Sequence, residues 1–385
     1  MVRRLRVDDY ADLAVLRDPA AAVEVPRALS VIAVRSFAKI NLGLKIGPVR
    51  ADGLHELRTI YQTLALHDVV RVDVQPGTGI EIRCDDPRVP LDRSNTCYKV
   101  VERVLAVAGQ GLKPPEMRDS LDAGLKARST KVVIEIDKRL PVQGGLGAAS
   151  SNGVATMLGL ERALGIELAT EEKLRIAAEV GSDLPLFLVG GTVLGVGRGE
   201  QVHPLEDLLI MHLVVVTPLV GVSTPAAFAR WDAMVAREAE LTGTGAAGTI
   251  NKLGQDVFAR LSESVFSQVV SASEPASGVP AVGGDRAETP LLDLVRAGIE
   301  NDFERVVFPE YPELLEVKRV LEREGARFAS LSGSGSTSYG VFASGEEAQD
   351  VAARMKAAGH AAVATTTLTR NEYWRQMLAE GPLQA

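Results

Sequence analysis

LPVQGGLGAASSNG, residues 140–153, joins a β-rich run to a helical one. Residues 131–137 before it, KVVIEID, alternate β-branched and polar side chains and predict a strand. After it, Val154, Met157 and Leu158 share one face of a predicted helix. Gly144, Gly145 and Gly147 leave the backbone bare to whatever approaches it, and Ser150, Ser151 and Asn152 stand where a helix N-terminus takes oxygen-bearing caps. Free N–H groups and the positive end of the helix dipole make such a turn an anion site. A tight strand-to-helix connection that packs small residues would look the same, and the loop alone does not separate the two.

Upstream, residues 31–37 predict a strand running into AKINL at 38–42, with Lys39 and Asn41 on one face. By itself that lysine reads as a solvated face. A polar turn at 48–53 leads to LHEL at 54–57, where Thr59 stands in place of the second histidine of HExxH, so no zinc site is expected. Residues 59–66 and 68–74 predict two further strands, and residues 95–107 a helix capped by Ser94. Residues 109–130 read as a polar surface insertion.

Downstream, residues 171–180 predict a helix capped by Thr170 and ended by Gly181. Asp183 then precedes an apolar run, 186–189, read as a buried strand, so a turn aspartate is its ordinary reading. Residues 208–217 predict another strand, after which Ser223 and Thr224 cap a helix and a second half begins. A Gly/Ser/Ala-rich stretch follows, with 271–284 read as loop. Beyond it lie an amphipathic helix at 312–324 and a second Gly/Ser turn, ASLSGSGSTS at 329–338. A helix at 346–358 and a strand at 361–367 close the pattern.

At 385 residues the chain can bury two domain cores, and a net charge of −8 argues against a nucleic-acid or anionic-membrane partner. Cys84 and Cys97 are too few for a disulfide framework and suit a reducing, cytoplasmic setting. GxxxxGK[ST], the third glycine of a dinucleotide fingerprint and GxSxG are all missing. What remains is an anion loop, Asp183 some thirty residues later, Lys39 on an early strand and a second GSG turn. Phosphoryl transfer from ATP uses such parts: a phosphate cradle, a cation and a carboxylate that takes the hydroxyl proton.

AKINLGL at 38–44 with DGLHEL at 52–57, KRLPVQGGLGAASSN at 138–152, GSDLPLF at 181–187, and ND at 301–302 with LSGSGST at 331–337 together resemble the GHMP small-molecule kinases. Within that family they resemble members whose alcohol acceptor is a cytidine diphosphate-linked methylerythritol. The resemblance implies an α+β fold: an N-terminal ATP-binding domain of the ribosomal-protein-S5 type over 31–205 and a ferredoxin-like C-terminal domain over 206–385, with the site in the cleft between them. Residues 1–30 would be an extension and 235–290 an inserted loop.

The resemblance also implies roles. Asp183 would be the general base and Lys39 the cation beside it. Gly144, Gly145, Leu146, Gly147, Ala148, Ala149, Ser150, Ser151 and Asn152 would hold the ATP phosphates, with Asn95, Lys138 and Pro141 toward the adenine. Asn41 would bind the methylerythritol part, His55 the cytosine, and Thr224 the far wall of the acceptor pocket. Mg²⁺ would accompany ATP, with its direct protein ligands left open, as is a homodimer. Leu54 replaces the family's cytosine-stacking aromatic, so either nucleotide affinity would be weaker or Tyr61 or Phe228 would substitute. Gln143 and Ala148–Ala149 replace glycines, which negative φ angles would allow. Another GHMP kinase, or a silent nucleotide-binding relative, is the alternative.

Overall fold

The computed structural model describes residues 31–111, 130–242 and 300–377. The N-terminal extension, most of the 109–130 insertion and the 271–284 patch lie outside them. Two long antiparallel strands, β1 (Ile32–Val49) and β2 (His55–Pro76), form the spine of the larger sheet. The two strands expected at 59–66 and 68–74 are one, because the polar break at His67-Asp68 finds partners in place and needs no turn.

β3 (Gly79–Cys84), α1 (Thr96–Gly111), β4 (Thr130–Asp137), α2 (Ala148–Leu164), α3 (Thr170–Val180), the single turn α4 (Leu184–Phe187), β5 (Thr192–Val196) and β6 (Gln201–Pro204) complete the first half. β1 lies along one edge of β2. The other edge is shared, by β5 at Thr59–Gln62 and by β4 at Val69–Pro76. Residues 63–68 are left between them; Leu64 bridges Thr367, Leu368 N–H donates to the Thr63 carbonyl, and Arg139 and Leu140 N–H donate to Asp68. β3 and β4 are parallel, and the remaining pairs are antiparallel. Val101, Val104, Met157, Leu160 and Ile176 from α1, α2 and α3 bury one face of the sheet over Val70, Val72 and Ile134.

The second half runs β7 (His212–Val216), α5 (Thr224–Thr242), α6 (Glu304–Glu310), α7 (Pro312–Arg323), β8 (Phe328–Leu331), β9 (Ser338–Phe342), α8 (Gly345–Ala357), β10 (Ala362–Thr366) and α9 (Arg370–Met377). Its sheet is antiparallel in the order β10-β7-β9-β8. That is the split βαββαβ, ferredoxin-like arrangement the resemblance implied. Strand alternation serves two cores: Val214 and Val216 pack under α7 and α8, while Leu213 and Val215 pack with Ile40, Ile60 and Leu64 of the larger sheet.

Several local readings are corrected. The run at 186–189 is no strand: Asp183 enters the one-turn helix α4 instead. Asn95, not Ser94, caps α1, accepting from Cys97 N–H at 2.8 Å, while the Ser94 hydroxyl turns to Asp92. α3 begins after Ala169 with no side-chain cap, and Gly147, in the left-handed region, precedes α2 where Ser150–Asn152 were expected to cap it. β3, β5, β6 and α9 were not foreseen; the strands are short and half-polar, so their periodicity is weak. The first part of the insertion expected at 235–290 is occupied by α5, which runs to Thr242, and the rest lies outside the described residues.

Candidate active site

The Gly-rich connection leaves β4 at Asp137 and enters α2 at Ala148. Gly145 and Gly147 have φ of +79° and +69°, which side chains with a Cβ seldom adopt. A Cβ on Gly145 would run into the Ser332 carbonyl, and one on Gly147 would come within 3.0 Å of the Lys39 stem. Gln143 also has φ +60°, so its glycine replacement is not the negative-φ change expected. The second Gly/Ser turn seats the first: Thr337 N–H donates to the Gly144 carbonyl at 3.2 Å and the Ser332 hydroxyl to the Gly145 carbonyl at 3.0 Å.

Asn95, Lys138, Pro141, Gly144–Ser150 and Asn152 line a cavity of about 360 Å³ over this loop. Ser151 points away from it, its hydroxyl buried with no hydrogen-bond partner. Three of the lining side chains are already engaged. Asn95 donates to the Pro90 carbonyl, Lys138 to Asp68 at 2.8 Å, and Asn152 to Asp68 at 3.1 Å.

Lys39 sits at a register shift in β1, only 3% exposed, where its N–H donates to the Leu146 carbonyl of the glycine loop at 3.0 Å. Its ammonium lies 3.4 Å from Asp183 Oδ2 and donates to Asn41 Oδ1 at 2.8 Å. The side-chain amide of Asn41 in turn donates to the Thr59 hydroxyl, and the Asn41 backbone carbonyl accepts from the buried Tyr339 hydroxyl. Asp183 is the exposed member of the group, with a third of its side chain open. Its other oxygen accepts from the Tyr61 hydroxyl at 3.2 Å. Burial, then the Asp183 charge beside it, hold the Tyr61 phenol well above the usual tyrosine range, so Tyr61 stays a donor. At 2% exposure its ring offers no stacking face.

His55 lies beyond Thr59 on β2, its Nδ1 2.9 Å from the Gly47 carbonyl and its Nε2 3.0 Å from Asp232 on α5. Phe228, the other substitute aromatic, stacks on the His55 ring with centroids 5.1 Å apart. Leu54 is exposed beside them. Thr224 opens α5 and its hydroxyl lies 2.8 Å from that of Ser334 in the second Gly/Ser turn. Asp68, Thr59 and Tyr339 were not read from the sequence as site residues, and of these only Asp68, a charge inside a β-patterned run, carried any signal there. Asn301, part of the ND motif but given no role, donates to the Leu331 and Gly333 carbonyls of the second Gly/Ser turn.

The chain thus combines a cavity lined by the Gly-rich loop with a carboxylate held by a lysine and a phenol, the lysine's own backbone N–H being bonded to that loop. Such a group can orient an alcohol and take its proton. Among the described residues no cluster of three His, Cys, Asp or Glu could hold a metal, and no helix is long and apolar enough to cross a membrane.

Comparison with known proteins gives a consistent picture. The family model for the GHMP kinases N terminal domain matches residues 96–191, and that for GHMP kinases C terminal matches 288–361. A 4-diphosphocytidyl-2-C-methyl-D-erythritol kinase of Moorella thermoacetica is 30% identical over 341 residues, covering 88% of this chain and all of the relative. The protein of that name from Solibacter usitatus is 32% identical, over 80% of each chain. A solved 4-(cytidine 5'-diphospho)-2C-methyl-D-erythritol kinase superposes at a TM-score of 0.59 with 25% identity, covering 87% of this chain and 99% of that one. Homoserine kinase from Cytophaga hutchinsonii, 18% identical at a TM-score of 0.57 over 88% of this chain and 95% of its own, shares the fold.

Proposed function

The chain belongs to the family of 4-diphosphocytidyl-2-C-methyl-D-erythritol kinases within the GHMP kinases, and we propose that Lys39 and Asp183 carry its ATP-dependent phosphorylation of that compound's C2 hydroxyl. The observation behind the assignment is the 3.4 Å contact between Asp183 and Lys39, whose own backbone N–H donates to the Leu146 carbonyl of the glycine loop. Asp183 takes the hydroxyl proton as the oxygen attacks. Lys39 favours the ionised carboxylate and faces the negative charge that spreads over the transferring group. Backbone N–H groups of residues 144–150 cradle the phosphates, and Asn95, Lys138 and Pro141 border the nucleoside side; Ser151, whose N–H donates to the Gly147 carbonyl, takes no part. Asn41, His55 and Thr224 face the acceptor.

A magnesium ion fits as one carried on the ATP phosphates, keeping several waters, rather than as one caged by protein. It supplies charge neutralisation of the phosphates when bound. The ATP-binding half ends near residue 205, between β6 and β7. Two free cysteines, one of them fully buried, fit a reducing cytoplasm.

The test is ADP release by the purified protein with 4-diphosphocytidyl-2-C-methyl-D-erythritol, homoserine, mevalonate and galactose, with Asp183→Asn as control. Turnover is expected with the cytidyl compound alone, falling on the order of 10²–10⁴-fold in the variant. An Asp183→Asn protein as active as the original would remove the base assignment. The exposed Leu54 favours a second reading, a kinase of another alcohol, which turnover of one of the other three would establish.

A further inference from the structure

Asp68 lies in the middle of β2, where that strand has left β5 and not yet met β4, and its side chain is 0% exposed. Four donors converge on it. Oδ1 accepts from Arg139 N–H and Leu140 N–H, both at 2.7 Å. Oδ2 accepts from the Lys138 ammonium at 2.8 Å and from the Asn152 amide at 3.1 Å. The Ser36 hydroxyl, on the β1 residue paired with Asp68, donates to Asn152 Oδ1 at 2.6 Å and sets that amide's orientation. Lys138 also donates to the Leu140 carbonyl.

These donors come from both ends of the Gly-rich connection: residues 138–140 lead into it, and Asn152 stands in the first turn of the helix that follows. A buried carboxylate is an expensive way to hold a sheet together, since an apolar pair of similar volume stabilises at least as well. An apolar pair could not tie the two ends of a loop to one point. We propose that Asp68 is a positioning residue for phosphoryl transfer, clamping entry and exit of the glycine loop so that its N–H groups keep one spacing. The proposal rests on the reading of residues 144–150 as the ATP phosphate site. It also accounts for Lys138 and Asn152, which line the cavity with their polar ends turned to Asp68.

Asp68→Asn keeps shape and one accepting oxygen, but turns an NH₂ group toward at least one of the donors. The experiment measures Kd for ATP by calorimetry, and KM for ATP, KM for the acceptor alcohol and kcat. Kd and KM for ATP are expected to rise on the order of 10- to 100-fold, as for loss of hydrogen bonds to a charged group. KM for the alcohol should stay within about twofold, the split expected when only one substrate's site is loosened. In Asp68→Asn/Asn152→Asp the amide and carboxylate trade places, and ATP affinity should recover in part. A folded Asp68→Asn protein that binds ATP as the original does, or one whose two KM values rise together, overturns the proposal. If that variant does not fold, Asn152→Leu, which frees only the helix end, must still weaken ATP by at least about threefold; unchanged affinity there also overturns it. An original protein that binds no ATP would instead overturn the reading of the loop itself.

Discussion

Tyr61 shows how a side chain can change its meaning between sequence and fold. On an alternating strand it could have stacked on a base; in the structure its hydroxyl reaches Asp183 and its ring fills a slot beside Gly195 and Gly199. Tyr61→Phe should therefore lower kcat about 3- to 10-fold, the worth of one hydrogen bond, with the KM for ATP unchanged. Steady-state kinetics with either substrate varied checks this, and a change confined to the acceptor's KM would return Tyr61 to substrate binding. Gln143 carries the left-handed strain of a non-glycine residue at φ +60°. Gln143→Gly should leave stability unchanged or raise it by up to about 1 kcal/mol, relief of strain outweighing the added chain entropy. Gln143→Val, β-branched, should lower it by about 1–2 kcal/mol in urea titrations.

Neither Gly-rich turn stands alone; each shapes the other. The Gly144–Gly147 turn fits only because the 332–337 turn brings carbonyls and hydroxyls against it, and only because no Cβ intervenes. Gly145→Ala meets two penalties, an unfavourable φ and the Ser332 carbonyl, so a loss of about 2–4 kcal/mol is expected together with weakened ATP binding. Gly53→Ala is the control: its φ is also +79°, but nothing lies within 4 Å of the added carbon. Its loss should be near 1 kcal/mol, with kinetics unchanged. Thermal melts of the two variants side by side separate conformational strain from steric conflict, and equal losses would show that the contact between the turns yields freely.

The two sheets share a core, and this decides how the molecule should unfold. Leu213 and Val215 of the smaller sheet are buried with Ile40, Ile60, Leu64 and Leu146 of the larger one. Asp302 adds a polar tie, accepting from Ile46 N–H at 2.9 Å and from Lys45 at 3.0 Å on β1. A single calorimetric transition is expected, and Leu213→Ala should lower the stability of the whole by about 2–5 kcal/mol. Two separate transitions, only one of them shifted, would refute the shared core. Burial holds the Asp302 carboxyl above the usual range despite the Lys45 ammonium. The folded protein thus keeps that proton when the unfolded chain has lost it. The stability it contributes is present below the ordinary carboxylate pKa and is lost as pH rises through the raised one. In Asp302→Asn this part of the decline should disappear from melting temperatures measured between about pH 4 and pH 7.

The sequence motifs, by their resemblance, were enough to name the family and the α+β class, and the two Gly-rich turns could be located in the chain because bare backbone, helix ends and strand alternation are local properties written within a few residues. The pairing of Lys39 with Asp183 came from resemblance rather than from spacing, since 144 positions separate them and no local rule joins such residues. Only the tertiary structure decided the rest. It merged two expected strands into β2, made a helical turn of the run after Asp183, turned Tyr61 to Asp183 and drew four donors onto Asp68. In each case the deciding partner lies on another element, and a buried polar group settles wherever the fold brings a donor or acceptor to meet it.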